Sequence, residues 1–291
     1  MAYRYSSPGE WLKGNTHIHT TFSDGGRPVE EVAKLYAGAG YDFLFCTDHW
    51  HASNVQSLGI HAPLLLDGIE LDGHDRYGAY YHIVCLGKFA GLDQKEGLET
   101  SIAKARAQGG LIILAHPYWI GNTREEALRH NFDGVEIYNH VCRWLNGKSD
   151  GGVHWNAMLV QNSRTLGFAS DDAHLRPEHP GWNGGWIKVK ANARTASAII
   201  SSVRAGNFFS SCGPDFLSIE CQPRKVRVTT SAVPFIRLVG PGLQGKRIGS
   251  FDGKTFTEAE FDIPSDWKYA YIEIEDAQGR RAWTNNLLLD V

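Results

Sequence analysis

Gly14-Asn15-Thr16-His17-Ile18-His19-Thr20-Thr21-Phe22-Ser23-Asp24-Gly25 is the stretch from which the rest of the chain can be read. His17 and His19 are two positions apart, so on an extended strand both imidazoles point to one face while Ile18 turns to the other. Taken alone, the pattern fits two half-exposed polar residues beside an apolar one as well as it fits a ligand pair. The two readings separate on the positions of later histidines and acids. Residues of that kind at the carboxyl ends of apolar runs would be brought to one edge by a parallel sheet.

They stand there repeatedly. Pro28 opens a segment with Val29, Val32, Ala33 and Tyr36 at helical spacing, closed by Gly38 and Gly40. Tyr41-Asp42-Phe43-Leu44-Phe45-Cys46 then reads as a buried strand running into Thr47-Asp48-His49. Pro63-Leu64-Leu65-Leu66-Asp67-Gly68-Ile69 ends on Glu70, and Tyr81-His82-Ile83-Val84-Cys85-Leu86 carries its histidine near the start. Leu98, Ile102 and Ala105 mark a helix, and Leu111 to Ala115 is a strand delivering His116-Pro117. Thr123 and Glu126 form a capping box. The strand 134–139 and a helix over about 153–163 follow. A further strand, 165–170, delivers Asp171, Asp172 and His174, and Trp186 to Lys190 with a helix capped by Thr195 completes this half.

Strands alternating with helices over about seven units predict an α/β domain, best closed as a (β/α)7 TIM-like barrel, distorted, over residues 1–213. Beyond Gly213-Pro214 the period changes to two, as in Phe235-Ile236-Arg237-Leu238-Val239 and Tyr271-Ile272-Glu273-Ile274, separated by turns such as Gly240-Pro241-Gly242. Residues 214–291 are therefore expected to be a small antiparallel β-sandwich-like domain.

Composition narrows the function. A net charge of -3 without a basic stripe excludes a nucleic acid polymer as the obvious partner. No run approaches the roughly 18 apolar residues of a membrane span, so no membrane is expected. Cys46, Cys85, Cys142, Cys212 and Cys221 are odd in number, far apart and without a Cys-x-x-Cys pair. That pattern points to reduced thiols and a cytoplasmic setting. The sequence carries no signal for oligomeric state.

His17, His19, His49, Glu70, His116, Asp172 and His174 fall at or just beyond strand ends and are expected to share one rim; with His82 and Asp24 the first half offers six imidazoles (His17, His19, His49, His82, His116, His174) and three carboxylates (Asp24, Glu70, Asp172). Nitrogen and oxygen donors without thiolate suit divalent zinc, iron or manganese, and nine are more than one ion needs. The ordered motifs His17-x-His19, Ser23-Asp24-Gly25, Thr47-Asp48-His49, Gly68-Ile69-Glu70, His82-Ile83, Ala115-His116-Pro117 and Asp172-Ala173-His174 resemble those of the PHP (polymerase and histidinol phosphatase) superfamily of metal-dependent hydrolases. Gly279-Arg280-Arg281-Ala282-Trp283-Thr284-Asn285 is similar to the end of members of its CehA/McbA-like branch.

That resemblance implies the PHP fold and two or three divalent ions in a trinuclear site. His17, His19, Glu70 and Asp172 would hold the first ion, Glu70 with His82 and His116 the second, and Asp24, His49 and His174 the third. Spacing favours Asp172 as the ligand, with Asp171 supporting it from behind. Two ions would share a water and lower its pKa toward about 7, giving a bridging hydroxide as nucleophile, with Glu70, Asp172 and His174 as the catalytic core.

The expected substrate is a small, anionic phosphate mono- or diester. Hydrolysis of a carboxyl ester, amide or carbamate, and a non-catalytic binding protein, are the competing readings. Trp119, His140, Arg143 and His154 are candidate substrate contacts, with His140, His154 and His51 as possible proton donors to the leaving oxygen. Glu136 is a candidate orienter of a ligand. His51, His61, His74, His130 and His179 read as solvated loop residues.

Overall fold

The structure, a computed structural model, describes residues 4–6, 8–60 and 62–288, so His61 lies outside the described residues. The first part runs β1 (Glu10–Asn15), α1 (Val29–Gly38), β2 (Phe43–Cys46), β3 (Leu64–His74), β4 (Tyr80–Leu86), α2 (Leu98–Ala107), β5 (Leu111–Leu114), α3 (Pro117–Ile120), α4 (Arg124–Ala127), β6 (Gly134–Asn139), α5 (His140–Leu145), α6 (Gly152–Gln161), β7 (Leu166–Ser170), β8 (Trp186–Ala191), α7 (Ala196–Arg204) and β9 (Phe208–Ser211). α1 forms where expected. Pro28 caps it, Glu30 and Glu31 sit in its first turn, and Val29, Val32, Ala33 and Tyr36 are its buried face.

The sheet order through this part is β9-β8-β1-β2-β3-β4-β5-β6-β7. β1 to β3 and β5 to β7 pair in parallel, whereas β4 is antiparallel to both neighbours. This reversal explains a feature of the sequence. A strand that comes back down begins at the edge where its neighbours end, so His82 at the start of β4 lies opposite Asp72 near the end of β3. β3 also does not stop at Glu70; pairing with β4 carries it on to His74.

The chain just past β1 is tied on both sides. Thr47 N donates to Ile18 O at 3.1 Å, Asp172 N to His17 O at 2.9 Å, and His19 N to Ala173 O at 3.0 Å. The continuations of β1, β2 and β7 are thus hydrogen-bonded together. Ile18 is fully buried among Val32, Leu44 and Ala173, and its burial turns His17 and His19 the other way. On the far side of β7, Ser210 Oγ of β9 accepts from Ala169 N and donates to Gly167 O.

The remaining strands are β10 (Phe216–Gln222), β11 (Lys225–Val233), β12 (Phe235–Val239), β13 (Gly245–Gly249), β14 (Phe256–Asp262), β15 (Tyr271–Glu275) and β16 (Arg281–Thr284). β10, β11 and β14 form a separate three-stranded sheet. β12, β13, β15 and β16 extend the large sheet through antiparallel pairing of β16 with β9, so the ladder is continuous across residue 213. The two layers share a core that includes Phe216, Val228, Phe261, Ile236 and Ile272. β13 and β16 were not legible as period-two runs. No helix among the described residues is long and apolar enough to cross a membrane, and the five cysteines are unpaired.

Gly14 shows how tightly the site's foundation is packed. A Cβ built there would lie 2.1 Å from the ring of Phe43, its register partner on β2. Gly14→Ala is expected to cost about 1–3 kcal/mol by overpacking, measured as a lower denaturation midpoint; an unchanged midpoint would contradict this packing.

Candidate metal centre

All nine side chains singled out as ligands meet in one cluster. Four overlapping groups have their donor atoms within 4.8 Å of one another: His17, His19 and Glu70; His17, His116 and Asp172; His49, Glu70 and His82; and His19, Asp24, His49 and His174. Glu70 is at the centre. Its Oε2 lies 3.2 Å from Nε2 of His17, His19 and His49, and its Oε1 lies 2.9 Å from His82 Nδ1 and 3.4 Å from His116 Nε2. Asp172 Oδ1 is 3.3 Å from His17 Nε2 and 3.1 Å from His19 Nε2, and those two nitrogens are 3.1 Å apart. Asp24 Oδ2 is 3.2 Å from His174 Nε2. Asp171, by contrast, is turned away from the cluster.

These separations suit a cation. A tetrahedron of ligands at about 2.0–2.1 Å from zinc has edges of about 3.3–3.4 Å. Five separations among His17 Nε2, His19 Nε2, Glu70 Oε2 and Asp172 Oδ1, those that involve an imidazole, run from 3.1 to 3.3 Å. Asp172 Oδ1 and His116 Nδ1 are buried without a hydrogen-bond partner among the described residues, a cost of about 1–3 kcal/mol each that a bound ion at the carboxylate would relieve there.

The electrostatics agree. Burial pushes the Glu70 pKa up, but His17, His49, His82 and His116 outweigh it and hold the carboxyl well below its usual range. Burial pushes the His19 pKa down, yet Asp172 and Glu70 raise it to about 9. The carboxylates thus favour positive charge at His19, and the imidazoles favour negative charge at Glu70.

The backbone is bent to make this arrangement. His116 has φ +28° and Asp172 φ +56°, left-handed values that cost non-glycine residues of order 1 kcal/mol or more. Each is held by neighbours. Glu136, buried beneath the cluster, accepts His17 Nδ1 at 2.8 Å with one oxygen, and His116 N and Asn139 Nδ2 at 2.9 Å with the other. Donation from Nδ1 fixes the His17 tautomer and leaves the Nε2 lone pair facing Glu70 and Asp172.

Two supports, Asp48 and Asp72, were not singled out from the sequence, whereas Asp171 was expected to support the ligand Asp172. Asp48 accepts from Thr20 N, Ser23 N and both their hydroxyls, and so holds the turn that presents Asp24. Asp72 accepts Trp50 Nε1 and Tyr80 OH and lies 3.2 Å from His49 Nδ1. Asp171 accepts from Asn15, Tyr36 and the backbone of Asn183, Gly184 and Gly185, pinning the base of the loop beyond His174.

A cavity of about 200 Å3 opens over the cluster. Its floor is Asp24, His49, Glu70, His82, His116, Asp172 and His174; its walls are Trp119, Val141, Cys142, Leu145 and His179. Of the expected substrate contacts, Trp119 is in the wall. The others lie elsewhere: His154 Nε2 is tied to Asn122 O at 2.7 Å, His140 Nδ1 is 3.0 Å from Tyr138 OH, and Arg143 is exposed. His51 stacks on Phe22, outside the lining. His179, expected in solvent, instead faces the cavity with its ring edge-on to His174 and Nδ1 unpartnered.

No protein-family model matches the chain, and no curated relative matches it. Among solved structures, a two-domain protein from Bacteroides vulgatus ATCC 8482, described as containing a predicted PHP-like metal-dependent phosphoesterase, aligns with a TM-score of 0.53 at 12% identity over 94% of this chain and 93% of that one. The fold is PHP-like. An amidohydrolase from Chromobacterium violaceum solved with sulfate aligns at 14% identity with a TM-score of 0.43, over 67% of this chain and 96% of that chain. A proposed metal-dependent phosphoesterase from Bifidobacterium adolescentis ATCC 15703 aligns at 12% identity with the same score, over 58% and 91%. Neither of these two weaker likenesses carries the argument.

In this PHP-like setting Glu136 is the test of the supporting layer. Glu136→Gln places an amide beside the donors that its carboxylate now accepts, and divalent metal affinity, measured by titration of the metal-stripped protein, should fall about 10–100-fold. Unchanged affinity would show that His17 is positioned by something else. Stripping the metal should also lower the thermal midpoint, since an ion at about 100 times its Kd contributes about 2.7 kcal/mol.

Proposed function

We propose that this chain is a metal-dependent hydrolase of small phosphate esters, built on a distorted barrel over residues 1–213 with a β-sandwich-like unit over 214–291. The observation that carries the reading is the cluster centred on Glu70, whose two oxygens face five imidazoles. The PHP-like fold, and the phosphoesterase description of the Bacteroides vulgatus protein that shares it, support the choice of chemistry.

In this reading His17, His19, Glu70 and Asp172 hold one divalent ion, Glu70 with His82 and His116 a second, and Asp24, His49 and His174 a third. Manganese, iron and zinc all suit these donors. Such ions supply Lewis acidity toward a phosphoryl oxygen and a water acidified toward a pKa of about 7. The protein's own part is positional. Glu70, buried and held ionised, keeps ligands of neighbouring ions in register; Glu136 and Asp72 orient His17 and His49. His179, in the wall beside His174, stands where it can donate a proton to a leaving oxygen. The five unpaired cysteines support a cytoplasmic setting.

A second reading has one observation in its favour. Among the described residues no Lys or Arg side chain lines the cavity, although Arg176 reaches within 4.0 Å of Asp24 Oδ2, and this suits a neutral ester, amide or carbamate carbon as well as a phosphoester. A panel of phosphate mono- and diesters alongside carboxyl esters, assayed with the metal-loaded protein, separates the two. The expected result is phosphoester turnover that falls at least about 10³-fold in Glu70→Ala; turnover confined to carboxyl esters would overturn the phosphoesterase reading.

A further inference from the structure

The walls of the cavity differ in kind from its floor. Once the seven floor residues are committed to ions, the side chains left to meet the rest of a substrate are Trp119, Val141, Cys142, Leu145 and His179. Four of these five are apolar or a buried thiol. Val141, Cys142 and Leu145 come from one face of α5, and Trp119 comes from α3. The indole is fixed edge-on to two floor imidazoles, 5.3 Å from His116 and 6.0 Å from His82, at interplanar angles of 89° and 75°. Leu145 is 37% exposed, so the apolar wall continues to the surface.

Among the described residues that line this wall, only His179 offers a hydrogen-bonding side chain besides the Trp119 indole N–H and the Cys142 thiol, too few to satisfy several hydroxyls. Each polar group moved from water into such a wall without a partner costs roughly 1–3 kcal/mol, whereas each methylene buried there gains about 0.8 kcal/mol. His179 can satisfy one oxygen, the leaving one. Size points the same way. A cavity near 150 Å3 takes a benzene ring and drug-sized ligands need about 300–1,000 Å3, so 200 Å3 holds a phosphoryl group and a compact substituent, with any longer part emerging past Leu145.

Resting on the hydrolase reading above, we infer that the substrates are phosphate esters of compact apolar alcohols or phenols, and that sugar phosphates and nucleotides are discriminated against by the Trp119–Leu145 wall. Trp119 and Leu145 are the specificity-determining residues of this site.

The test compares ligands matched in size. With the metal-loaded protein, n-butyl phosphate is expected to be hydrolysed with a kcat/KM at least about tenfold above glycerol 3-phosphate. The non-hydrolysable pair, butylphosphonate and 2,3-dihydroxypropylphosphonate, should show the same preference in Kd by calorimetry. Trp119→Ala should remove most of the preference, read as the ratio of the two Kd values so that any loss common to both ligands cancels. Leu145→Ser, at a partly exposed position and so tolerable to the fold, should shrink it too. Equal or tighter binding of the dihydroxypropyl compound, or a preference untouched by both substitutions, would overturn the inference even if phosphoesters are turned over. An intact binding preference with no phosphoester turnover would instead sink the proposed chemistry and leave apolar recognition standing.

Discussion

The rest of the structure answers to one constraint, the packing of the Glu70 and Asp172 carboxylates against the His17 and His19 Nε2 atoms, with separations of 3.1–3.3 Å in a buried cluster. Lone pairs directed at one another at this distance repel unless positive charge lies between them. Folding must therefore hold the side chains in place by other means. The carboxylates of Glu136, Asp48, Asp72 and Asp171 do this, each accepting hydrogen bonds from a different segment of chain around the centre. The left-handed backbone at His116 and Asp172 is the local strain that this support sustains.

The fold supplies the matching geometry. Parallel strands deliver residues from β1, β2, β5 and β7 to one edge, and the reversal of β4 adds His82 to it from a strand's beginning rather than its end. The carboxyl-terminal segment braces the opposite side of β7. Asn285 Oδ1 accepts from Gly167 N while its amide donates to Phe208 O, and Arg281 pairs with Asp150 in the loop before α6.

The ligand set was legible because its constraint is local. Each ligand sits within a short motif, most of them at the end of an apolar run, with His82 at the start of one and Asp24 in a turn, and run, motif and order are all visible in one dimension. The supporting carboxylates were mostly hidden, since Asp48 and Asp72 look like any acid near a turn until Thr20, Ser23, Trp50 and Tyr80 arrive from elsewhere. The walls were harder still. His179 and Leu145 reach the cavity only through the paths of the 175–183 loop and α5, while His154 and His140, equally plausible by type, are drawn off to Asn122 and Tyr138. β13 and β16 escaped for a different reason. Gly245-Lys246-Arg247-Ile248-Gly249 is a mostly exposed edge strand with no buried alternation to read, and β16 is only four residues long.

The central claim, one shared centre in which Glu70 joins neighbouring ions, is tested most directly by anomalous diffraction from crystals of the metal-loaded protein. The account predicts at least two anomalous peaks, one contacted by Nε2 of both His17 and His19, with Glu70 oxygens coordinating that ion and its neighbour. A single peak that Glu70 does not touch, or no peak within the cluster, would contradict it.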